Sequence, residues 1–212
     1  MHVLVIGDFH IPDRSFVIPD EIETSITRAS KPHGFDVVAC TGDLTRVDQM
    51  EPVLASWGQY LSVQGNMDDE LRNTKHFPRK VTFDTAQEIP GADVLKIGII
   101  HGHQVTPRGD RASLAEVTQQ MGVHVLISGH THAPSITLHQ RIDDGKQVLL
   151  LNPGSATGAW SFVATLVPSF MLLDIARGKQ GLNVDVTIIE IRDGKELKLS
   201  ETHVFTNGTF IK

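Results

Sequence analysis

Apolar residues in this chain come in short runs, and several of those runs stop at a small cluster of polar residues. Val3 to Ile6 is such a run and ends at Gly7-Asp8. Asp36-Val37-Val38-Ala39-Cys40 ends at Thr41-Gly42-Asp43, and Tyr60 to Gln64 ends at Gly65-Asn66-Met67-Asp68. Short apolar runs bounded by turn signals predict buried strands. Between them the period changes. Pro19-Asp20 opens a segment with Ile22 and Ile26 on one helical face, and Val47 to Trp57 predicts a second, short helix. Strand and helix alternating in this way predict βαβ units and a parallel sheet.

Past a stretch rich in Lys and Arg (Arg72 to Lys80) the pattern shifts toward strands. Val81 to Phe83 and Val94 to Ile100 predict two, the second ending at His101-Gly102-His103. Asp110 predicts the N-cap of a helix whose apolar face carries Leu114, Val117 and Met121. His124 to Ile127 predicts a buried strand that ends at Ser128-Gly129-His130-Thr131-His132. Val148 to Leu151, Ser169 to Ile175, Val184 to Ile191 and Leu197 to Phe205 all favour β. No internal repeat or linker interrupts the series. The expectation is a single α/β domain over residues 1–212, with two sheets packed face to face and helices outside.

Composition narrows the function classes. With 212 residues the chain can build one substantial core. A net charge of −6 argues against a general nucleic-acid binder. The only cysteine, Cys40, rules out an internal disulfide and suits a reducing, cytoplasmic setting. The first apolar run is too short for a secretory signal. The uncharged segment between Lys146 and Asp174 is broken by Asn152, Pro153, Gly154, Gly158 and Pro168, so it predicts strand, loop and strand rather than a membrane span. Trp160, Phe162, Val163, Leu166 and Val167 within it are expected by default to pack in the core; exposed, they would instead mark a partner surface. Membrane association would come only through a partner.

The polar clusters share a chemistry. Asp8 and His10 follow one strand, Asp43 another and Asn66 a third; His101 and the pair His130/His132 follow two more. In open α/β sheets the carboxyl ends of strands gather at one edge, where ligands bind. An extended segment would point both His130 and His132 to one side. Each turn alone is more often structural, since Gly-Asp and Gly-Asn are common turn dipeptides. Together they predict a site of nitrogen and oxygen donors for two divalent ions. Asp8, His10 and His132 suit one ion, Asn66, His101 and His130 the other, and Asp43 bridges. Donors without thiolate fit Mn, Fe or Zn better than a structural zinc site does. Asp68-Asp69-Glu70 reads as a solvated charge run. His33, His76, His124, His139 and His203 lie outside these turns and are given ordinary surface or hydrogen-bonded roles.

Asp8-x-His10, Gly42-Asp43, Gly65-Asn66, His101-Gly102-His103 and Gly129-His130-Thr131-His132 resemble the motifs of the calcineurin-like metallophosphoesterases. A narrower resemblance is carried by His101-Gly102-His103-Gln104-Val105-x-Pro107-x-Gly109-Asp110, Ser113-Leu114-Ala115, Leu126 to His132, Asn152 to Ala159 and Pro168-Ser169-Phe170. These are similar to the small phosphoesterase-fold subunits of retromer, the endosomal cargo-sorting complex, most densely from Ile97 to Ile175.

That resemblance implies a scaffold in endosomal protein transport. The metal-site edge would dock on an α-solenoid retromer subunit, with Val105, Thr106 and Pro107 in the solenoid-facing loop. Endosomal regulators or sorting nexins would bind a separate apolar surface that includes Thr187 and Ile189. The chain would then be cytoplasmic and peripheral on endosomes. Several positions depart from the family. Metazoan members carry Asn at the place of Asp43 and Asp at the place of Asn66, whereas here both match active phosphoesterases. His2 stands for a Leu, and Thr106 for a larger apolar residue. Many active relatives have a histidine, the general acid, where this chain has Met67, which cannot transfer a proton. Small bacterial phosphodiesterases of the fold also lack it. His103 either supplies the missing proton donor or orients His101. Phosphodiesterase activity is expected to be weak or absent.

Overall fold

The computed structural model describes residues 1–71 and 76–211, so part of the basic Arg72 to Lys80 stretch lies outside the described residues. Strand β1 (His2–Ile6) is buried along its whole length. Alternate residues of β1 enter different cores. Val3 and Val5 join Ile97, Ile99, Val125, Ile127 and Leu149, while Leu4 and Ile6 join Ile22, Ile26, Val47 and Leu54. A strand covered on both faces needs an unbroken apolar run, which is what the sequence shows there.

The chain continues through α1 (Asp20–Ala29), β2 (Phe35–Cys40), α2 (Val47–Trp57), β3 (Gly58–Ser62), β4 (Lys80–Asp84), β5 (Lys96–Ile100), α3 (Arg111–Met121) and β6 (Val125–Ser128). It ends with β7 (Ser135–Gln140), β8 (Gln147–Asn152), β9 (Ser169–Arg177), β10 (Leu182–Arg192), β11 (Lys195–Thr206) and β12 (Thr209–Ile211). A seven-stranded sheet has the order β12-β11-β10-β9-β1-β2-β3, and a five-stranded sheet the order β4-β5-β6-β8-β7. Strands β1, β2 and β3 are parallel, as are β5, β6 and β8. Their carboxyl ends therefore point the same way within each sheet. The two inner faces meet in the first core, α1 and α2 cover the outside of the larger sheet, and α3 covers the smaller one through Leu114 and Ala115 against Leu126 and Leu150. This is the expected α/β domain, two packed sheets with helices outside.

Local chemistry sets the element ends. Asp110 caps α3 by accepting from the Ser113 N–H at 2.8 Å, and Gly122 ends the helix at φ 65°. His2 is buried because both ring nitrogens meet acceptors. Its Nδ1 lies 2.6 Å from the Asp174 carboxylate, its Nε2 3.1 Å from the Ala29 carbonyl, and its ring stacks on Phe35.

Two strands were not anticipated. β7 is an edge strand whose side chains are half-buried up to an exposed Gln140, with polar Ser135, Thr137 and His139 at every second place, and β12 has three residues. β3 begins and ends two residues before the expected Tyr60 to Gln64 run. The uncharged segment forms β8, a loop and β9, as expected. No helix among the described residues is long and apolar enough to cross a membrane.

Candidate metal centre

Five strand ends converge at one edge between the sheets. β1 delivers Asp8 and His10, β2 Asp43, β3 Asn66, β5 His101, and β6 His130 and His132. The expectation that His130 and His132 converge because the segment is extended is not met. They sit at φ 68° and 58°, and Asp8, His10 and Asp43 at 51°, 50° and 53°. The left-handed region costs a residue with a Cβ on the order of 1 kcal/mol or more. Five such residues around one point are held there by their surroundings, and each turns its side chain inward.

Donor atoms fall into two groups that share Asp43. In the first, His10 Nε2 lies 3.1 Å from His132 Nε2, His132 Nε2 3.2 Å from Asp8 Oδ1, and His10 Nε2 3.3 Å from Asp43 Oδ2. In the second, His101 Nε2 lies 3.3 Å from the same Asp43 oxygen and 3.0 Å from Asn66 Oδ1. A ligand atom of His130 lies within 4.8 Å of those of Asp43 and His101. The Asp43 Oδ2 atom thus faces both groups, while its Oδ1 accepts from the Met67 N–H at 2.8 Å.

These residues suit divalent cations. His101 Nδ1 is 2.8 Å from the Thr41 carbonyl and His132 Nδ1 is 2.8 Å from the Ala159 carbonyl. A carbonyl only accepts, so each Nδ1 carries a proton and each Nε2 is the ring atom left to ligate. The buried Nδ1 of His10 finds no hydrogen-bond partner among the described residues, so nothing but the centre orients that ring. Lone pairs and carboxylate oxygens crowded together without enough protons to share are the donor set of a cation site.

Burial pushes His10 and His130 down to about 4, so both are neutral and able to ligate. Burial would lower His101 too, but its hydrogen bond to Asp43 and the charges of Asp8 and Asp43 outweigh it and raise the group to about 9. Burial would raise Asp43, yet the same His101 contact and the neighbouring His10 carry it well below the usual carboxylate range. A cation would take the place of the shared proton.

Several supporting residues were not legible in advance. Asp68 is no solvated charge. It is buried, and its carboxylate accepts from the N–H groups of Asp43 (3.0 Å), Thr45 (2.9 Å) and Gly65 (2.7 Å). It locks the turns after β2 and β3 together. The loop from Asn152 to Ala159 does the same for β1 and β6. Ser155 Oγ donates to the Asp8 carbonyl at 2.7 Å, Thr157 Oγ1 to the Phe9 carbonyl at 2.9 Å, and Asn152 Nδ2 to the Gly129 carbonyl at 3.0 Å. A Cβ on Gly129 would lie 2.3 Å from Asp8 Oδ2, and one on Gly65 2.0 Å from Asp43 Oδ1, so the ligand carboxylates occupy space only glycine leaves open. The signal in hand was the Asn152 to Ala159 motif, whose hydroxyls and glycines had no assigned task.

Other residues sit elsewhere than expected. His103 lies beside the centre, its ring 5.3 Å from that of His101 and 6.2 Å from that of His130. It does not orient His101 by a hydrogen bond, because the His101 Nδ1 is held by Thr41. Burial and the charge of His101 lower its pKa. Val105 is buried among Ile100, Leu114 and Leu126, so of the loop expected at the solenoid only Thr106 and Pro107 are exposed. Ile189 is also buried, in the core with Phe170 and Ile191, and Thr187 is half-buried. The spacing of β10 turns Ile189 inward, whereas the Thr187 hydroxyl stays at the surface, 2.9 Å from Ser200 Oγ. By contrast Trp160 (54% exposed), Phe162 (81%), Val163 (54%) and Leu166 (58%) are not core residues. They lie in the turns between the Ala159 carbonyl and β9, where no strand or helix shields them.

Residues 1–178 match the calcineurin-like phosphoesterase superfamily domain. A probable metallophosphoesterase of Methanocaldococcus jannaschii is 38% identical over 157 residues, spanning 74% of this chain and 69% of that protein. Wild-type Vps29 of Entamoeba histolytica, complexed with zinc, is 32% identical with a TM-score of 0.76, covering 95% of this chain and 99% of that one. Vacuolar Protein Sorting 29 of Cryptosporidium parvum is 28% identical with a TM-score of 0.73, covering 95% and 96%. A family match over most of the length, on a fold that gathers the family's donor residues at one edge, leaves one conclusion. The chain belongs to the calcineurin-like phosphoesterase superfamily.

Proposed function

We propose that the chain is the phosphoesterase-fold subunit of a retromer-type complex, a scaffold for endosomal protein transport. The observation that carries this reading is the end-to-end likeness to Vps29 structures, over 95% of the chain. The exposed rim of Trp160, Phe162, Val163 and Leu166 supports it, since contiguous exposed apolar side chains mark interaction surfaces. This rim and the Thr106-Pro107 tip would meet an α-solenoid subunit, with Val105 anchoring the tip from beneath. Regulators or sorting nexins would meet the apolar surface that Leu197 and Leu199 expose beside Ile188 and Glu190, while Thr187, paired with Ser200, faces the other side of the sheet. Membrane association would follow from the complex.

Affinity purification from the native cell tests the reading by asking whether a large α-solenoid protein co-purifies in equal amount. Phe162→Asp would bury an unpaired carboxylate on docking, at a cost of several kcal/mol. About a hundredfold or more of affinity should be lost. If no such protein co-purifies and Phe162→Asp changes nothing, the scaffold reading falls.

A second reading, a di-metal phosphodiesterase or phosphatase, is favoured by the donor set. Asp43 and Asn66 both face the centre, and the Methanocaldococcus relative is a probable metallophosphoesterase. Asp8, His10, Asp43 and His132 would hold one divalent ion (Mn, Zn or Fe), and Asp43, Asn66, His101 and His130 the other. The chemistry supplied by such ions, when bound, is neutralisation of charge on the phosphoryl group and acidification of water. Met67 leaves the leaving group without the usual proton donor, and His103 would be its substitute. General acid catalysis contributes on the order of 10²–10⁴-fold, so turnover of bis-p-nitrophenyl phosphate should be weak or absent. Met67→His should raise it; an unchanged rate would show that the missing acid is not the limitation.

A further inference from the structure

The mouth of the centre carries two arginines that the donor set does not use. Arg14 donates from Nη1 to the Trp160 carbonyl at 2.7 Å, and Arg108 from Nη1 to the His130 carbonyl at 2.9 Å. Both line a small pocket of about 50 Å³ whose floor is Asp43, Asn66, His130 and His132. Each backbone tether uses one N–H of the guanidinium, and among the described residues neither group is paired with a carboxylate. Arg108 is further fixed over the Phe162 ring, 5.8 Å from its centroid. The two cations serve different halves. The charge of Arg14 acts on His10 and that of Arg108 on His130.

We infer that Arg14 and Arg108 form an oxyanion clamp that selects a dianionic terminal phosphate, a monoester, over a phosphodiester. The proposal rests on the second reading, in which the edge takes up metal. Charge decides the preference. Two carboxylates (Asp8 and Asp43) against two divalent ions leave a formal excess of two positive charges, and the guanidiniums add two more. A diester brings one negative charge and two free oxygens. A terminal phosphate brings two charges and three oxygens, enough to face both ions and still accept from a guanidinium fork. The pocket admits little beyond the phosphoryl group itself, so the organic part of the ester stays outside, against Trp160 and Phe162.

The full chain is loaded with manganese and its metal content measured first. Calorimetry then compares phenylphosphonate, a dianion that cannot be hydrolysed, with its monomethyl ester, a monoanion of nearly the same shape. Phenylphosphonate should bind at least about tenfold more tightly. Arg14→Ala and Arg108→Ala should each lower its affinity by about tenfold to a hundredfold, affect the methyl ester less, and leave metal content unchanged. Equal affinity for the two probes, or arginine variants that bind phenylphosphonate like wild type, would overturn the clamp while leaving the metal reading intact. Failure to take up metal would bring down both. If a polyglutamate peptide binds and is lost in the same variants while phenylphosphonate ignores them, the arginines serve an acidic protein segment and the clamp is wrong.

Discussion

The two halves of the metal edge use the same residue types and are finished differently. Around Asp8, His10 and His132 every donor is buried, and the far nitrogen of His132 is tied to a carbonyl of the supporting loop. Around Asn66, His101 and His130 only His101 is buried; His130 is half-buried and Asn66 exposed. The closed half is enclosed by β1, β6 and the Asn152 to Ala159 loop, whereas the open half faces solvent beside Arg108. An ion in the closed half would be held by enclosure and exchange slowly. One in the open half would depend on each ligand separately and be the one that outside molecules reach. The contrast shows how one donor chemistry gives two affinities when the backbone around it differs.

The shared residue gives the largest test of that contrast. Asp43→Ala removes the oxygen that faces both groups, so calorimetry with manganese or zinc should find fewer than two ions per chain. A stoichiometry still at two would show that Asp43 does not bridge.

Asp68→Ala comes next, although Asp68 offers no ligand atom and touches the donors only through the Asp43 N–H. It strands the buried N–H groups of Asp43 and Gly65 and the half-buried one of Thr45, each buried one costing about 1–3 kcal/mol when unsatisfied, so urea unfolding should show a loss of at least about 2 kcal/mol. Outer partners of ligands typically contribute 10–100-fold in metal affinity, and a loss in that range is expected. A variant as stable as wild type would mean water replaces the carboxylate.

Asn66→Ala should separate the halves. The weaker of two binding steps should fall by about tenfold while the tighter one stays. Equal weakening of both would show that the halves are not independent.

The smallest effect concerns Cys40, at the end of β2 beneath the centre. Burial pushes its thiol up to about 12, so it stays protonated and should not react with iodoacetamide at pH 8 until the chain is unfolded. Labelling of the native protein, read by mass spectrometry, would show that the β2 edge opens.

Much of this was legible because strand interiors and strand ends write different signals. The Val3 to Ile6 run announced a strand buried on both faces, and Asp8, Asp43, Asn66, His101 and His130 each followed such a run. What failed was everything decided by tertiary surroundings. Asp68 sits in an acidic run that reads as surface, and only the approach of three backbone turns makes it a buried anchor. Trp160 and Phe162 read as core because apolar side chains usually are. They lie outside because a loop already committed to holding Asp8 and His132 has no free face to bury them. Val105 shows the reverse, an expected contact residue that packs against α3. The edge strand β7 was missed although Ser135 to His139 alternates polar and apolar residues, because the run is short and carries only two apolar side chains.

The Asn152 to Ala159 loop has one more consequence. Its hydroxyls hold the turn that carries Asp8, its last carbonyl holds His132, and the next residue is the exposed Trp160. Ion site and apolar rim are therefore adjoining parts of one rigid piece of backbone. If a cation tightens that piece, a partner resting on the rim meets a surface already ordered, and its affinity rises by some factor. Thermodynamic reciprocity then requires the partner to raise the cation's affinity by the same factor. Loss of hydrolysis would leave that exchange untouched, so a site of this kind keeps a use for its metal even when it turns nothing over.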